Sequence, residues 1–501
     1  MKKIMLTALV MATIFTTVFG QGDPIAEKYA NTITVSDLHG HLSVIASDAL
    51  QGRETGKVGQ KMAAAYIAEQ FKSFGLQGPV KGGDNNGFYQ DVVLYSAKPG
   101  EISLSTKKGK YDNFNGIIYY GTTVTNGAVE RDIVFAGAGT EADFESLDVK
   151  DKAVMFMSES MRGWRDAAQI ANEKGAKTIF ILNTPTDEAF DGMAQQFKGF
   201  LLGGRLSVNK PEASETDGVF FVKPSVAGDI FNTKYEKLKS AVENNKKIKS
   251  SKVSYSLAMN LSEVPTENVL GYLEGTDKKD ELLIITSHYD HLGMDGEDIY
   301  NGADDDGSGT VSVLEIAQAF SEAKKDGHGP RRSILFMTVT GEEKGLLGSD
   351  YYTQHPIFPL ENTIADLNID MVGRIDENHK EGDNYVSLVG SDKLSTELHQ
   401  ISENANATYT KLDLDYTYND VNHPERIYYR SDHWNFAKNN IPVIFYTTGT
   451  HPDYHKPTDT VDKIEFELLN KRAQLVFYTA WELVNRENRI VVDKGQEKEG
   501  E

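Results

Sequence analysis

The chain has 501 residues, 39% of them hydrophobic, which suffices for two domains with ordinary soluble cores. A formal net charge of −22 repels polyphosphate and anionic lipid, and so argues against a nucleic-acid or membrane-surface partner. With no cysteine, the chain can build neither a disulfide framework nor a thiolate metal site.

Residues 1–20 read as an export signal, with Lys2 and Lys3 ahead of an apolar run from Ile4 to Phe19 and a cleavage point after Gly20. The alternative is a single membrane anchor, but Thr7, Thr13, Thr16 and Thr17 dilute that run and its length is marginal for a membrane span. The expected location is secreted or periplasmic, with no membrane association once the signal is removed.

From Val35 to Leu94 the apolar spacing predicts helices. LHGHLSVIASDAL and MAAAYIAEQFKSFGL place residues such as Ala63, Ile67 and Phe71 on one face, and Gly75 is a C-cap. His39 and His41 fall in the first helix and read as structural. Residues 98–250 change character: short β-rich runs (GIIYYG, DIVFAGAG, KAVMFMSES, TIFILN, GVFFVKP) surround one clear helix, DAAQIANEKGA. The stretch KYEKLKSAVENNKKIKSSK reads as a solvated basic face. These residues form an inserted β-rich α+β domain without ligand spacing.

The first domain resumes by residue 253. ENVLGYLEG, ELLIITSH, SILFMTVT, TIADLNIDMVG and PVIFYTTG read as strands, and VSVLEIAQAFSEAKK as a helix burying Val313, Ile316, Ala317 and Phe320. Alternation of this kind predicts an α/β domain over 21–97 and 251–490, its sheet mostly parallel or mixed and covered by helices on both faces. Residues 491–501 are a polar tail.

In open α/β sheets the carboxyl ends of strands form the functional rim. Four such ends carry ligand-type residues: His288 and Asp290, the pair Glu342 and Glu343, Asp370, and His455 in HPDYHKPTDT. A run of three aspartates, Asp304 to Asp306, precedes the helix. Imidazole and carboxylate without thiolate suit zinc, with Co2+ or Mn2+ tolerated, and a carboxylate can bridge two cations. Of two adjacent glutamates, one can bind metal while the other acts as base. Asp304 could cap the helix beginning near Gly307, Asp432 could cap the next helix or support a histidine, and Asp459 reads as loop-stabilising. His291 and His451 flank the motifs and read as residues that support the ligands from behind or line the rim, because the ligand set is complete without them.

The motifs H-x-D, G-A-D-D-D-G-S-G, G-E-E-x-G-L-x-G-S, N-I-D-M and Y-H-x-x-x-D-T occur in this order. The chain thereby resembles the co-catalytic di-zinc aminopeptidases, a family that includes glutamate carboxypeptidases and, more distantly, glutaminyl cyclases and transferrin receptors. The likeness runs over Val35–Leu94 and Val253–Asn485, and the insertion resembles a protease-associated domain. It implies two Zn2+ per chain, one held by His288 and Asp370, the other by Glu343 and His455, with Asp305 bridging. It further implies Glu342 as general base, Asp290 orienting His288, and Tyr454 or Tyr428 at the oxyanion. The peptide between Asp305 and Asp306 is expected to be cis. The implied activity is removal of N-terminal residues from peptides. Carboxypeptidase or dipeptidase action, with Arg374 or Arg430 meeting a carboxylate, and glutaminyl cyclisation are the alternatives.

Overall fold

A computed structural model describes residues 22–495 apart from 146, 159–162, 212–215, 381 and 421. The export-signal reading of residues 1–20 and the end of the tail lie outside the described residues. The chain divides into two compact units, one holding the residues up to Asp91 and from Thr266 onward, the other Val92–Pro265. The sequence reading set these boundaries at 97/98 and 250/251. They fall elsewhere because the chain leaves the first unit within one long strand, Tyr89–Ser105, and returns within another, Ser251–Leu273.

The strands of the first unit are β1 (Ser251–Leu273), β2 (Lys278–His288), β3 (Arg332–Val339), β4 (Thr363–Ile369), β5 (Tyr385–Val389), β6 (Asp413–Asp415) and β7 (Val443–Thr447). Their order across the sheet is β6-β5-β7-β4-β2-β3-β1. β3, β2, β4 and β7 run parallel, β1 pairs antiparallel to β3, and β5 pairs antiparallel to β7 and parallel to β6.

Strand side chains alternate between faces, and the alternation builds two cores. Leu283, Ile285, Ile334 and Phe336 pack with the helices Val35–Ile45, Val58–Phe74, Gly309–Lys325 and Phe466–Asn485. Leu282, Ile284, Leu335 and Met337 pack on the other face with Tyr352 and Phe436, from helices Leu347–Gln354 and His433–Ala437. Gly75 closes its helix at φ 92°, a left-handed conformation in which glycine carries no Cβ penalty. The chain runs from β2 to β3 on one side and then from β3 back across β2 to β4 on the other. A crevice therefore opens at the carboxyl ends of β2 and β4.

The second unit also holds parallel strands, Val129–Phe135, Ala153–Met157, Thr178–Leu182 and Val219–Val222. Gly116–Tyr120 pairs antiparallel to the last. The single expected helix is present as Trp164–Glu173, but Asp187–Gly203 is a second, longer one. Gly192, Gly199 and Gly203 lower its intrinsic propensity and hid it from the sequence pattern. Part of the basic stretch also folds: Tyr235–Glu243 is helical and buries Leu238 and Ala241. Among the described residues no helix is long and apolar enough to cross a membrane.

Candidate metal centre

β2 ends on His288, which is 1% exposed. Its Nδ1 lies 3.1 Å from the backbone carbonyl of Asp290, an arrangement that fixes the proton on Nδ1 and leaves the Nε2 lone pair free. Nε2 faces Asp305 Oδ1 at 3.3 Å, Asp370 Oδ1 at 3.6 Å and Glu342 Oε2 at 3.9 Å. Asp370 follows β4, and its other oxygen accepts a hydrogen bond of 2.6 Å from Ser431 Oγ.

On the other side of Asp305, Oδ2 lies 3.1 Å from His455 Nε2, which in turn lies 3.2 Å from Glu343 Oε2. One carboxylate thus faces two imidazoles through different oxygens. The neighbouring aspartates are occupied otherwise. Asp306 accepts from the backbone N–H groups of His288, Gly309 and Met371, at 3.2, 2.8 and 3.2 Å. Asp304 accepts from Gly373 N at 2.6 Å and lies 3.2 Å from His451 Nε2. A purely spatial grouping also puts Asp306 beside His288 and Asp370. Its three N–H donors make it a brace for the turn, and Asp305 remains the carboxylate open to both sides. Asp459 holds the run in place by accepting from Asp304 N at 2.9 Å and Asp305 N at 3.2 Å. The Asp305–Asp306 peptide is cis, as the resemblance implied.

Several expectations change. The N-terminus of helix Gly309–Lys325 is met by Asp306, not Asp304, because Asp304 is turned toward Gly373. Asp290 approaches His288 through its backbone carbonyl. Its carboxylate, 3.9 Å from Nδ1, accepts instead from Thr55 Oγ1 at 2.7 Å and Glu342 N at 3.1 Å, so it positions the glutamate loop. Tyr428 is not at the cleft: it is 6% exposed and packs among Val443, Phe436 and the ring of Trp434. The turn Ile427–Tyr429 presents Ile427 to the cleft, along with the following Arg430, and sends Tyr428 inward. Tyr454 does line the cleft, its ring stacked on His455 with centroids 3.8 Å apart and its hydroxyl accepting from Arg430 at 3.3 Å. Arg374 is paired with Asp453 at 2.9 Å. Asp432 sits at the N-cap of helix His433–Ala437 but its side chain makes no cap bond there, accepting instead from Ser349 Oγ at 2.5 Å. His291 is 0% exposed with Nδ1 2.7 Å from Glu343 Oε1, so of the two roles expected for it the structure favours contact with a candidate ligand over a place on the rim. The doubled histidine in S-H-Y-D-H was the available signal.

Burial is the largest influence on protonation here. It raises Glu342 well above the usual carboxylate range, aided by Glu343, Asp370 and Asp432 and opposed by His288. On Asp305 burial is outweighed by the imidazoles of His288, His455 and His291, which hold it well below that range. His455 rises to about 10 against its own burial, through Asp305 and Glu343. In the metal-free chain protons thus balance the acidic centre, and a divalent cation would take their place.

The residues fit metal ions. Their donors are imidazole and carboxylate, and the buried atoms Asp305 Oδ2, Glu343 Oε1 and both nitrogens of His291 make no hydrogen bond. Beside them Glu342, Glu343, Tyr454, Arg430 and Trp434 line an open cleft of about 590 Å3. Met371, Ile427 and Phe445 form an adjoining apolar wall.

The chain is similar to several known peptidases. Residues 268–480 match the model of peptidase family M28. A probable leucine aminopeptidase of Arthroderma otae is 31% identical over 213 residues, 41% of this chain and 55% of that protein. Aminopeptidase YwaD of Bacillus subtilis is 25% identical over 371 residues, 72% of this chain and 69% of that protein. The chain therefore spans about half the length of the first relative and about two thirds of the second. An aminopeptidase from Aneurinibacillus sp. strain AM-1 shares the fold with a TM-score of 0.57 at 20% identity, covering 94% of this chain and 100% of that one.

Proposed function

Because residues 268–480 match peptidase family M28, we propose that this chain is a zinc-dependent exopeptidase that removes residues from the N-termini of peptides, using two metal ions. The observation that carries this reading is Asp305, whose oxygens face His288 on one side and His455 on the other. His288 and Asp370 would hold one ion, Glu343 and His455 the other, and Asp305 both. Co2+ or Mn2+ would suit the same donors. When bound, such ions supply Lewis-acid polarisation of a carbonyl and a lowered pKa for water.

The chain's own residues do the rest. Glu342 lies beside His288 and lines the cleft, where it accepts a proton from the attacking water and returns it to the leaving amine. Its backbone N–H is held by Asp290, so the loop that aims Glu342 also aims Glu343. The phenol of Tyr454 is kept protonated by burial and by the charges of Asp305 and Glu343, and it can donate to the developing oxyanion.

Arg430 supports a second reading. It lines the cleft with its guanidinium partly exposed, and Glu425 is no closer than 3.9 Å, so it could meet a substrate carboxylate as a dipeptidase or carboxypeptidase requires. Arg374 is already neutralised by Asp453. Export to the periplasm or medium rests on the pattern of residues 1–20, and a protease-associated role for the insertion rests on the resemblance.

A substrate panel separates these readings. The zinc-loaded protein should hydrolyse aminoacyl amides and peptides with blocked C-termini. Activity confined to dipeptides with a free carboxylate would overturn the aminopeptidase assignment in favour of Arg430 as anchor. Ammonia release from N-terminal glutamine without hydrolysis would overturn it in favour of cyclisation.

A further inference from the structure

We infer that His291 is a further metal ligand of the subsite formed by Asp305, Glu343 and His455, which then offers two imidazoles and two carboxylates. The inference deepens the bimetallic reading above and rests on it.

The fold places His291 deliberately. Its backbone N–H donates to Arg53 O at 3.2 Å. The buried guanidinium of Arg53 donates to the carbonyls of Tyr289, Asn301 and Gly302 at 2.8, 2.6 and 3.0 Å, so both ends of the 289–302 loop are tied together. The imidazole lies flat against Gly302, where a Cβ would come within 2.6 Å of the ring and where φ is +53°. A side chain at 302 would push His291 out of the centre.

The ring's surroundings are those of a ligand. Nδ1 lies 2.7 Å from Glu343 Oε1 and 3.8 Å from Asp305 Oδ2, while His455 Nε2 lies 3.1 Å from the same Asp305 oxygen and 3.2 Å from Glu343 Oε2. Donors bound to zinc at 2.0–2.1 Å in a tetrahedron stand about 3.3 Å apart, and these separations scatter around that value. The ring is fully buried, yet neither nitrogen has the geometry of a hydrogen bond, and Glu343 Oε1 and Asp305 Oδ2 are equally without one. Three buried polar atoms, His291 Nδ1, Glu343 Oε1 and Asp305 Oδ2, left without a hydrogen bond around one point are costly unless something absent from the polypeptide joins them. The His291 and His455 rings approach edge to face at 5.9 Å, from opposite sides of Glu343.

A bland role competes with this: the 2.7 Å approach could be a charge-assisted contact that only orients Glu343. Asparagine can donate to a carboxylate but is a weak zinc ligand, so His291→Asn separates the roles. X-ray absorption of the zinc-loaded wild-type chain should count three imidazoles (His288, His291, His455) over two ions. In His291→Asn and His291→Ala, competition with a chromophoric chelator should show one of two zinc ions bound at least tenfold more weakly, the other unchanged. Cobalt-loaded His291→Asn should show altered visible absorption. Two imidazoles over two ions in the wild type, or full affinity and an unchanged cobalt spectrum in His291→Asn, would overturn the inference and leave the bimetallic reading standing. A wild-type chain that retains fewer than two ions would instead overturn the bimetallic reading itself. The absorption count on the wild type decides the matter even if the variants do not fold.

Discussion

The unit of residues 92–265 and the unit built from the rest both cover parallel strands with helices on two faces, yet they bury different kinds of side chain. Among the described residues of the 92–265 unit the buried polar groups are Ser96, Thr123 and Thr178. The other unit buries Arg53, His288, Asp290, His291, Asp304, Asp305, Asp306, Asp370, Asp432, His433, His451 and Asp459. All 12 histidines of the chain lie in it. A parallel sheet supplies a rim at its strand ends in either unit; chemistry follows only where the rim receives groups that must be paired, protonated or metallated.

The comparison breaks most severely at Glu342. Glu342→Gln should lower kcat by about 10²–10⁴-fold with zinc content unchanged. Steady-state rates with metal analysis check this, and a near-normal kcat would remove Glu342 from the proton's path. Ser431→Ala is next. Losing the 2.6 Å donation to Asp370 should weaken one zinc ion by about 10–100-fold. Competitive chelation reads that shift, and unchanged affinity would show that Asp370 needs no support.

His433 sharpens the contrast through pH. It is buried, stacks on Phe445 with centroids 4.7 Å apart and donates from Nε2 to Tyr428 O at 2.8 Å. Burial lowers its pKa from 6.5 to about 3, so the folded chain holds it neutral while the unfolded chain takes up a proton below pH 6.5. Its stabilising effect is full above pH 6.5 and is lost as pH falls toward 3, amounting to about 2 kcal/mol at pH 5. His433→Phe should therefore show a smaller drop in stability between pH 7 and pH 5 than the wild type by about that amount, in denaturant melts at the two values. The 92–265 unit, having no histidine, contributes nothing of this kind.

The smallest effect is expected at Asp217. It pairs with Arg131 at 2.7 Å and accepts from Thr178 at 3.2 Å and from Tyr255. Asp217→Asn should cost about 1–2 kcal/mol of stability and leave kcat/KM unchanged. A large loss of turnover with normal folding would show that chemistry is not confined to one unit.

Much of this division was legible in the sequence, for identifiable reasons. β3, β4 and β7 are fully buried runs and β2 is buried over its last seven residues, all bounded by polar turns, and their carboxyl ends could be counted without coordinates. Asp370 and His455 could be placed at the rim for that reason. Side-chain direction within a turn could not. Tyr428 and Arg430 are two positions apart yet face opposite ways, and Asp304, Asp305 and Asp306 differ in role because distant N–H groups engage the carboxylates of Asp304 and Asp306, whereas Asp305 donates its own N–H to Asp459 and keeps its carboxylate open. The position of His291 beside Glu343 is not legible in the sequence, since the five motifs supply a complete ligand set without it. Its orientation depends on Arg53 and Gly302, neither of which carries any chemical signal of its own. The helix Asp187–Gly203 escaped because three glycines blurred its pattern, and tertiary packing overrode their propensity.

The most direct test of the account is zinc anomalous diffraction from crystals of the full chain. Two peaks about 3.5–4 Å apart are expected, with Asp305 between them, His288 and Asp370 on one and Glu343 and His455 on the other. A single peak, or two that do not share Asp305, would contradict it.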